Sequence, residues 1–246
     1  MDANVSVQSL QRAFSLLELL AARPSGMTLG EIALRSKLHK STAHRLLRSL
    51  IAMGYVNNRG LYALSPRLFE LGCRAVENLE VKARPLMREL SARTGETTRL
   101  VVRDGNEALC VYVVENPAAP RTVSRVGIGQ RFPLYATAPG KAILSTLTDD
   151  EVRAVWEGST ITAYTNRTVR RLVDLLSDLR RIRAQGCAMV YEEHEPGIVS
   201  IAGALPVASG PSEAAVSIRG PLSRLTNAKI SEIAGEIKTL LEQMRL

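Results

Sequence analysis

The chain has 246 residues, of which 46% are hydrophobic, so it can bury a core and is long enough for two domains. Its net charge of +8 fits a polyanionic partner, although a surplus of this size also occurs in proteins that never bind nucleic acid. Three widely separated cysteines, Cys73, Cys110 and Cys187, without a CxxC motif argue against a disulfide framework and a zinc knuckle.

The N-terminal residues have neither the basic start nor the apolar core of a signal peptide. No apolar run approaches the length of a membrane span. We therefore expect a cytoplasmic protein with reduced cysteines and no membrane partner, divided into one small and one larger domain.

The small domain begins with two predicted helices. Apolar residues at helical spacing predict one face of the first helix: Val7, Leu10, Phe14, Leu17 and Ala21. A Pro-Ser-Gly turn at 24–26 ends this helix. Thr28 and Glu31 have the spacing of a capping box, which predicts the start of the second helix.

The segment 38–55 predicts a third, amphipathic helix, with apolar residues at positions 43, 46, 47 and 50. Between Glu31 and Glu70 there is no acidic residue. Basic residues occur throughout that interval: Arg35, Lys37, Lys40, Arg45, Arg48, Arg59 and Arg67. Two short helices joined by a tight turn, the second one basic, predict a helix-turn-helix whose second helix fits a DNA groove. The alternative is an amphipathic helix whose outer face is merely solvated.

A β-hairpin is predicted over 54–64, with β-forming residues on both sides of an Asn-Asn-Arg-Gly turn. This hairpin would be the wing of a winged helix-turn-helix. Arg59 at its tip is then placed to contact phosphate or a minor groove. Alternatively, the tip has only the Asn and Gly residues that any hairpin turn requires.

The segment 38–56, LHKSTAHRLLRSLIAMGYV, resembles the recognition helix and wing entry of the IclR family of bacterial transcription regulators. Lys-Ser-Thr and His-Arg-Leu-Leu carry the resemblance, and His39 stands where proline is common in that family, which alters the helix start. The resemblance implies that five residues of this helix face DNA: Lys40, Ser41, Thr42, His44 and Arg45.

The rest of the chain mixes helices and strands. Ser65 and Pro66 predict the start of a connector helix that continues to Leu79, and a further helix runs from about Ala83 to residues 94–95. Strands are predicted at 100–102, 108–114, 122–125, 187–192, 198–204 and 214–218, and helices at 140–146, 149–157, 169–185 and around 230–241. This order predicts an α+β domain with a central antiparallel sheet flanked by helices. The expected division is a DNA-binding domain at 1–65, the connector helix at 66–80, and an effector-binding and oligomerisation domain at 81–246.

Segments of this second half also resemble the IclR family, at 84–90, 94–97, 124–127, 133–142 and 192–197. The resemblance implies a GAF-like domain that senses a small-molecule effector, a ligand that changes DNA affinity. The positions that line its pocket in family members with small-acid effectors are, in this chain, Ala138, Pro139, Val190, Ser200, Ser217 and Arg219.

Four of these positions depart from the family pattern. Pro139 has no amide hydrogen to donate to an anion, and Val190 stands where glyoxylate-type sensors have an acidic residue. Ser200 replaces a frequent cysteine, and Arg219 replaces a small polar residue. We therefore expect a carboxylic acid larger than a small oxo-acid, aromatic acids included, bound in bidentate fashion by Arg219 and covered by Tyr135 or Val190. Alternatively, Arg219 points to solvent or pairs with a glutamate.

An enzyme is the third possibility. His194 lies among Glu192, Glu193 and Glu195, which resembles metal-ligand or acid-base chemistry, and Cys110 and Cys187 are conceivable nucleophiles. The whole chain has only three histidines, too few for a catalytic triad or a two-histidine metal site. Gly140-Lys141 lacks the preceding glycine of a phosphate loop. We therefore expect no catalysis, no metal and no cofactor.

These observations predict a DNA-binding transcription regulator that binds an inverted-repeat, double-stranded operator as a homodimer or tetramer, with half-sites roughly 34 Å apart. A small organic acid in the second domain would control operator affinity. The alternative is a ligand-independent repressor whose second domain serves only oligomerisation. A purely structural DNA-packaging protein is disfavoured because it has no need for a large sheet domain. Repressors and activators share this architecture.

Overall fold

A computed structural model describes residues 7–117 and 127–244, which divide into two compact units between Glu77 and Asn78. The predicted strand at 122–125 lies outside the described residues. Within the described ranges, every helix is too short or too polar to cross a membrane.

The first unit is a winged helix-turn-helix, as predicted. Its elements are α1 (Gln8–Ala21), α2 (Leu29–Ser36), α3 (Lys40–Ala52), β1 (Val56–Asn58) and β2 (Tyr62–Leu64). The two strands pair in antiparallel fashion around a turn in which Gly60 has a φ of 96°, a conformation that favours glycine. Leu16, Ile32 and Leu47, one from each helix, have no exposed surface and form the centre of the core.

The start of α2 confirms the predicted capping box. The Thr28 hydroxyl accepts a hydrogen bond from the Glu31 amide at 3.2 Å, and the Glu31 carboxylate accepts one from the Thr28 amide at 2.8 Å. This amide lowers the pKa of Glu31 below its ordinary value. The box satisfies two backbone donors that the first helical turn would otherwise leave free.

The apolar face predicted for α1 is wrong in part. The structure buries Leu16, Leu17 and Leu20, whereas Phe14 is 61% exposed. Val7 and Leu10 are also exposed, and of the predicted face only Leu17 is buried. The helix has two apolar stripes at helical spacing, and periodicity alone does not say which one the other helices cover.

The predicted connector and the helix after it form one helix, α4 (Arg67–Thr94), of 28 residues. Ser65 precedes it and its hydroxyl accepts a hydrogen bond from the Arg67 amide at 3.2 Å, as expected for a helix start. Pro85 lies inside α4 without ending it, although proline removes one backbone donor. The predicted break near residue 80 is therefore wrong.

The second unit contains a six-stranded, fully antiparallel sheet in the order β5-β4-β3-β8-β7-β6. The strands are β3 (Thr98–Asp104), β4 (Glu107–Val114), β5 (Arg131–Pro133), β6 (Ala188–Tyr191), β7 (Ile198–Ala204) and β8 (Ala214–Pro221). Strand β5, which is only three residues long, was not predicted. The predicted end of β8 at residue 218 is wrong, because the strand continues and includes Arg219.

Helices cover both faces of the sheet, and each face has its own hydrophobic core. The remaining helices are α5 (Ala138–Leu144), α6 (Asp149–Glu157), α7 (Leu172–Gln185) and α8 (Asn227–Gln243). Helices α5, α6 and α7 pack on one face, together with Val101 and Ala215. The second half of α4 and helix α8 pack on the other face, together with Leu100 and Val216. Consecutive residues therefore point to opposite cores, as the period of a strand requires.

Candidate nucleic-acid interface and ligand pocket

Helix α3 presents a polar, basic surface opposite its buried side. Ala43, Leu47 and Leu50 are buried, as predicted. The predicted DNA-facing residues Lys40, Ser41, His44 and Arg45 are exposed, and Thr42 is half-buried. Arg48 is exposed one turn further along. The geometry thus brings four of the five predicted side chains to the outer surface.

The beginning of α3 is capped by a side chain that the sequence analysis noted only as a departure. His39 is the N-cap, and its ring atom Nδ1 lies 2.7 Å from the Ser41 hydroxyl and 3.4 Å from the Ser41 amide. The first turn contains no acidic residue. A helix N-terminus of this kind, with a lysine beside it, favours an anion such as a DNA phosphate.

The wing hairpin exposes Arg59 at its tip. The Asn58 side chain accepts a hydrogen bond from the Gly60 amide at 3.1 Å, so part of the turn chemistry serves the hairpin itself. Arg59 forms no ion pair within residues 7–117 and 127–244, which leaves its charge available to a partner.

A pocket opens on the sheet face that carries α5. Arg219 of β8 pairs with Ser200 of β7, which pairs in turn with Val190 of β6. Two positions earlier on β8, Ser217 pairs with Arg99 of β3. Paired residues and residues two apart share a face, so these five side chains meet there. The other residues that line the pocket are Val101, Phe132, Ala136, Thr137, Pro139, Glu193, His194, Glu195 and Ile198.

The pocket contains two guanidinium groups, and they differ in whether a carboxylate is bound to them. Arg219, whose side chain is 11% exposed, forms an ion pair with Glu195. Atoms Nε and Nη1 of Arg99 are buried and have no hydrogen-bond partner in the part of the chain that the structure describes. Burial lowers the pKa of Arg99 from its ordinary value, and the nearby Arg219 lowers it further. Glu115 and Glu96 act in the opposite direction and raise the pKa of Arg99, but neither forms an ion pair with it in the described ranges. Arg99 therefore supplies a cation without a directly bound carboxylate.

Five of the seven predicted effector-binding residues line this pocket: Pro139, Val190, Ser200, Ser217 and Arg219. Ala138 and Tyr135 are not among the lining residues, so of the two residues predicted to cover the acid, Tyr135 or Val190, the pocket contains Val190. The Tyr135 hydroxyl accepts a hydrogen bond from the Thr162 amide at 2.7 Å and donates one to the Thr162 carbonyl at 3.0 Å. Its ring packs edge-on against Trp156.

Arg99 was not predicted as a site residue. Val101, two residues later on β3, lies on the same face and is apolar, but Arg103 also lies on that face, so the alternation of the strand does not single out Arg99. The expectation for Arg219 had left a glutamate pairing open, and the structure shows that pairing with Glu195.

Beside the pocket lies a buried charge cluster centred on Lys141, which is 1% exposed. Its Nζ donates to Asp178 at 2.7 Å and to Glu193 at 2.6 Å. Burial raises the pKa of Glu193 above its ordinary value, and Lys141 opposes that rise. The Gly140-Lys141 motif thus serves an internal ion network.

His194, Cys110 and Cys187, the residues considered for catalysis, pack against other side chains or lie buried in the protein. The His194 ring lies 5.9 Å from the Phe132 ring and 4.8 Å from the Tyr164 ring, and burial lowers its pKa. Burial also raises the pKa of Cys110, and it raises the pKa of Cys187 to about 12, which disfavours either thiolate at neutral pH. Among the described residues, no group of three His, Cys, Asp or Glu is arranged to hold a metal ion.

Comparison with known families decides the identity of the two units. Residues 9–60 match the family described as IclR helix-turn-helix domain, and residues 73–245 match the one described as bacterial transcriptional regulator IclR C-terminal. The chain belongs to the IclR family. It is a DNA-binding transcription regulator, and the expectation that it is not an enzyme is confirmed, since the IclR relatives are regulators.

IclR relatives match the chain over nearly its whole length. The HTH-type transcriptional regulator XynR of Escherichia coli K12 is 34% identical over 239 residues, which are 94% of this chain and 93% of XynR. The crystal structure of a putative transcriptional regulator from Rhodococcus sp. RHA1 is 30% identical, with a TM-score of 0.79 over 97% of this chain and 99% of that one. An IclR homologue from Microbacterium hydrocarbonoxydans, solved in complex with 4-hydroxybenzoate, is 24% identical, with a TM-score of 0.80 over 96% of this chain and all of that one.

Proposed function

We propose that the second unit of this IclR regulator binds a small organic carboxylic acid in the sheet-face pocket, and that its occupancy controls operator affinity. The observation that carries the proposal is that atoms Nε and Nη1 of Arg99 are buried without a hydrogen-bond partner among the described residues. A buried charge without a counter-ion is costly, and a carboxylate matches the planar donors of arginine in bidentate fashion. An acid would therefore bind where Arg99 lacks a partner.

The remaining walls define the body of the acid. Val101, Phe132, Val190 and Ile198 give the pocket apolar surface, which favours an aliphatic or aromatic skeleton over a small polar oxo-acid. The 4-hydroxybenzoate complex belongs to a homologue whose 24% identity shows a common fold, so it supplies a probe to test and not the argument.

For the first unit we propose that α3 enters the major groove, with Lys40, Ser41, Thr42, His44 and Arg45 on the operator and Arg59 of the wing on a phosphate. The exposure of α3 and the absence of acidic residues between Glu31 and Glu70 support this assignment. A dimer or tetramer on an inverted repeat would place two such helices about one helical turn, roughly 34 Å, apart. Helix α4 supplies core residues to both units, and we propose that it transmits the effect of the acid.

Replacing Arg45 with alanine is expected to raise the Kd for the operator by about tenfold, because an arginine that contacts a base edge or phosphate contributes on the order of 1–3 kcal/mol. The measurement is a fluorescence-anisotropy titration at fixed salt, with a duplex that the wild-type protein selects from a random-sequence pool. Arg153→Ala is the matched control, since it removes one exposed positive charge from α6. Equal affinities of the two variants would remove Arg45 from the DNA contacts.

Replacing Arg99 with glutamine is expected to abolish stabilisation by acids in a thermal-shift screen of benzoate, 4-hydroxybenzoate and hexanoate. An acid at a hundred times its Kd stabilises the wild-type protein by about 2.7 kcal/mol. Without ligand the variant should melt no lower than the wild type, because the substitution removes a desolvated charge.

Arg103→Gln is the control for this screen, because Arg103 lies on the same strand and bonds the Gly105 carbonyl at 3.0 Å, outside the pocket. It should keep the full response to the acid. If no acid stabilises the wild type, the proposed effector is wrong and oligomerisation becomes the favoured role of the second unit. If Arg99→Gln keeps the response, the acid is bound elsewhere.

A further inference from the structure

Among residues 7–117 and 127–244, one of the two guanidinium groups that line the pocket has no paired carboxylate. Two guanidinium groups face the pocket, and Glu195 is ion-paired with Arg219. The other lining carboxylate, Glu193, bonds Lys141 at 2.6 Å and belongs to the buried network of that lysine. The Arg99 guanidinium remains without a paired carboxylate among the described residues.

This charge balance discriminates between a monocarboxylate and a dicarboxylate that have the same carbon skeleton. A single carboxylate on Arg99 completes the pairing in a partly desolvated site, where unpaired charge is costly. The second carboxylate of a diacid finds Arg219 already held by Glu195. To reach Arg219 it must either displace Glu195 or lie beside that like charge, and like charges forced together at a binding site weaken binding.

We infer that Glu195 sets the charge number of the effector: with Glu195 on Arg219, the pocket accepts monocarboxylates with an apolar body and rejects dicarboxylates. This inference rests on the proposed function, because it presumes that an acid binds in this pocket. Glu195 then acts as an internal carboxylate that occupies the second of two anion positions. Specificity arises from a repulsive element as well as from the attraction of Arg99.

The test uses pairs of acids that differ by one carboxylate, benzoate with terephthalate and hexanoate with adipate, titrated calorimetrically near pH 7.5. For the wild type we expect the monoacid of at least one pair to bind at least about tenfold more tightly than its diacid. Glu195→Gln keeps the size of the side chain and removes its charge, which frees Arg219. The ratio of diacid to monoacid affinity should then rise by about tenfold or more.

Glu213→Gln is the matched control, since Glu213 pairs with Arg103 at 3.5 Å, is 59% exposed, and lies outside the pocket. It should leave the ratio unchanged. If monoacids bind and Glu195→Gln leaves the ratio as it was, or if the wild type prefers diacids, the inference is overturned while the proposed function stands. If neither protein binds any acid, the proposed function fails and the inference fails with it.

Discussion

Replacing Gly140 with alanine is expected to lower the free energy of unfolding of the second unit by about 3 kcal/mol or more. A Cβ on Gly140 would lie 2.3 Å from the carbonyl oxygen and 2.4 Å from the Cα of Leu134. Both are backbone atoms of a residue that is 1% exposed, so no side-chain rotation relieves the overlap.

The overlap arises because α5 is buried along its whole length and its first turn lies against the preceding segment. Thr137 caps this turn, and its hydroxyl also donates to the Pro133 carbonyl at 2.9 Å. Moving α5 outward to admit a methyl group would break these bonds. It would also displace Thr137 and Pro139, which line the pocket, so we expect weaker acid binding in any folded fraction.

Urea unfolding followed by the fluorescence of Trp156, the only tryptophan in the sequence, measures this loss in the second unit. Gly235→Ala is the matched control, because Gly235 lies within α8 and a Cβ there meets no atom within 4 Å. That variant should be stabilised by about 0.5–1 kcal/mol, the difference in helix propensity. Similar midpoints for the two variants would show that the α5 contact is more adaptable than the distances indicate.

The elements that the sequence predicted well are determined by neighbouring residues. Thr148 and Glu151 form a second capping box, and α6 has the predicted bounds. The turn between β3 and β4 contains Gly105 at a φ of 64°, which the Asp-Gly-Asn-Glu sequence indicates directly. Caps and turns involve residues within three positions of one another. A short stretch of sequence therefore includes every residue that takes part in the interaction.

The errors concern contacts between residues distant in the chain. Periodicity showed that α1 is amphipathic, but only the packing of α2 and α3 decides that Leu16 is covered and Phe14 is not. The continuity of α4 through Pro85 likewise depends on its burial, since Leu86 and Leu90 pack on the sheet core. These contacts outweigh the local preference of proline to end a helix.

The pocket shows the same division between local and distant information. Family resemblance predicted Arg219 at the site, and β7 and β8 bring it into the same row as Ser200. Arg99 was not predicted, and a glutamate pairing of Arg219 was given only as an alternative, without a named glutamate. Both depend on strand register and on the turn that follows β6. Both Arg99 and Arg103 lie on β3, and the pairing of the strands places Arg99 in the pocket and Arg103 outside it.

Replacing Lys141 with methionine is expected to destabilise the second unit by about 3–5 kcal/mol near pH 7.5. The substitution leaves Asp178 and Glu193 close together without the buried cation that bonds both. The side chains of these acids are 20% and 12% exposed, so water replaces the ammonium only in part. Asp178 retains its ion pair with Arg181, whereas Glu193 forms no ion pair other than that with Lys141 in the described part of the chain.

The loss should depend on pH in a defined direction. Burial already raises the pKa of Glu193, and removing Lys141 raises it further because the opposing charge is gone. A carboxyl group whose pKa is higher in the folded state favours folding below its unfolded pKa and loses that contribution as the pH rises through the folded value. The destabilisation should therefore be larger at pH 8 than at lower pH, and shrink as the pH falls and Glu193 takes up a proton.

Urea midpoints of the Trp156 transition at several pH values test this expectation. Lys229→Met is the matched control, because Lys229 bonds Glu232 at 2.8 Å on the surface of α8, where an ion pair contributes at most about 1 kcal/mol. That variant should lose little stability and show little change with pH. If Lys141→Met behaved in the same way, the buried network would be solvated in solution, and Glu193 would be free to act as a second carboxylate in the pocket. The charge balance that assigns a monocarboxylate to Arg99 would then have to be revised, so this measurement also tests a premise of the effector assignment.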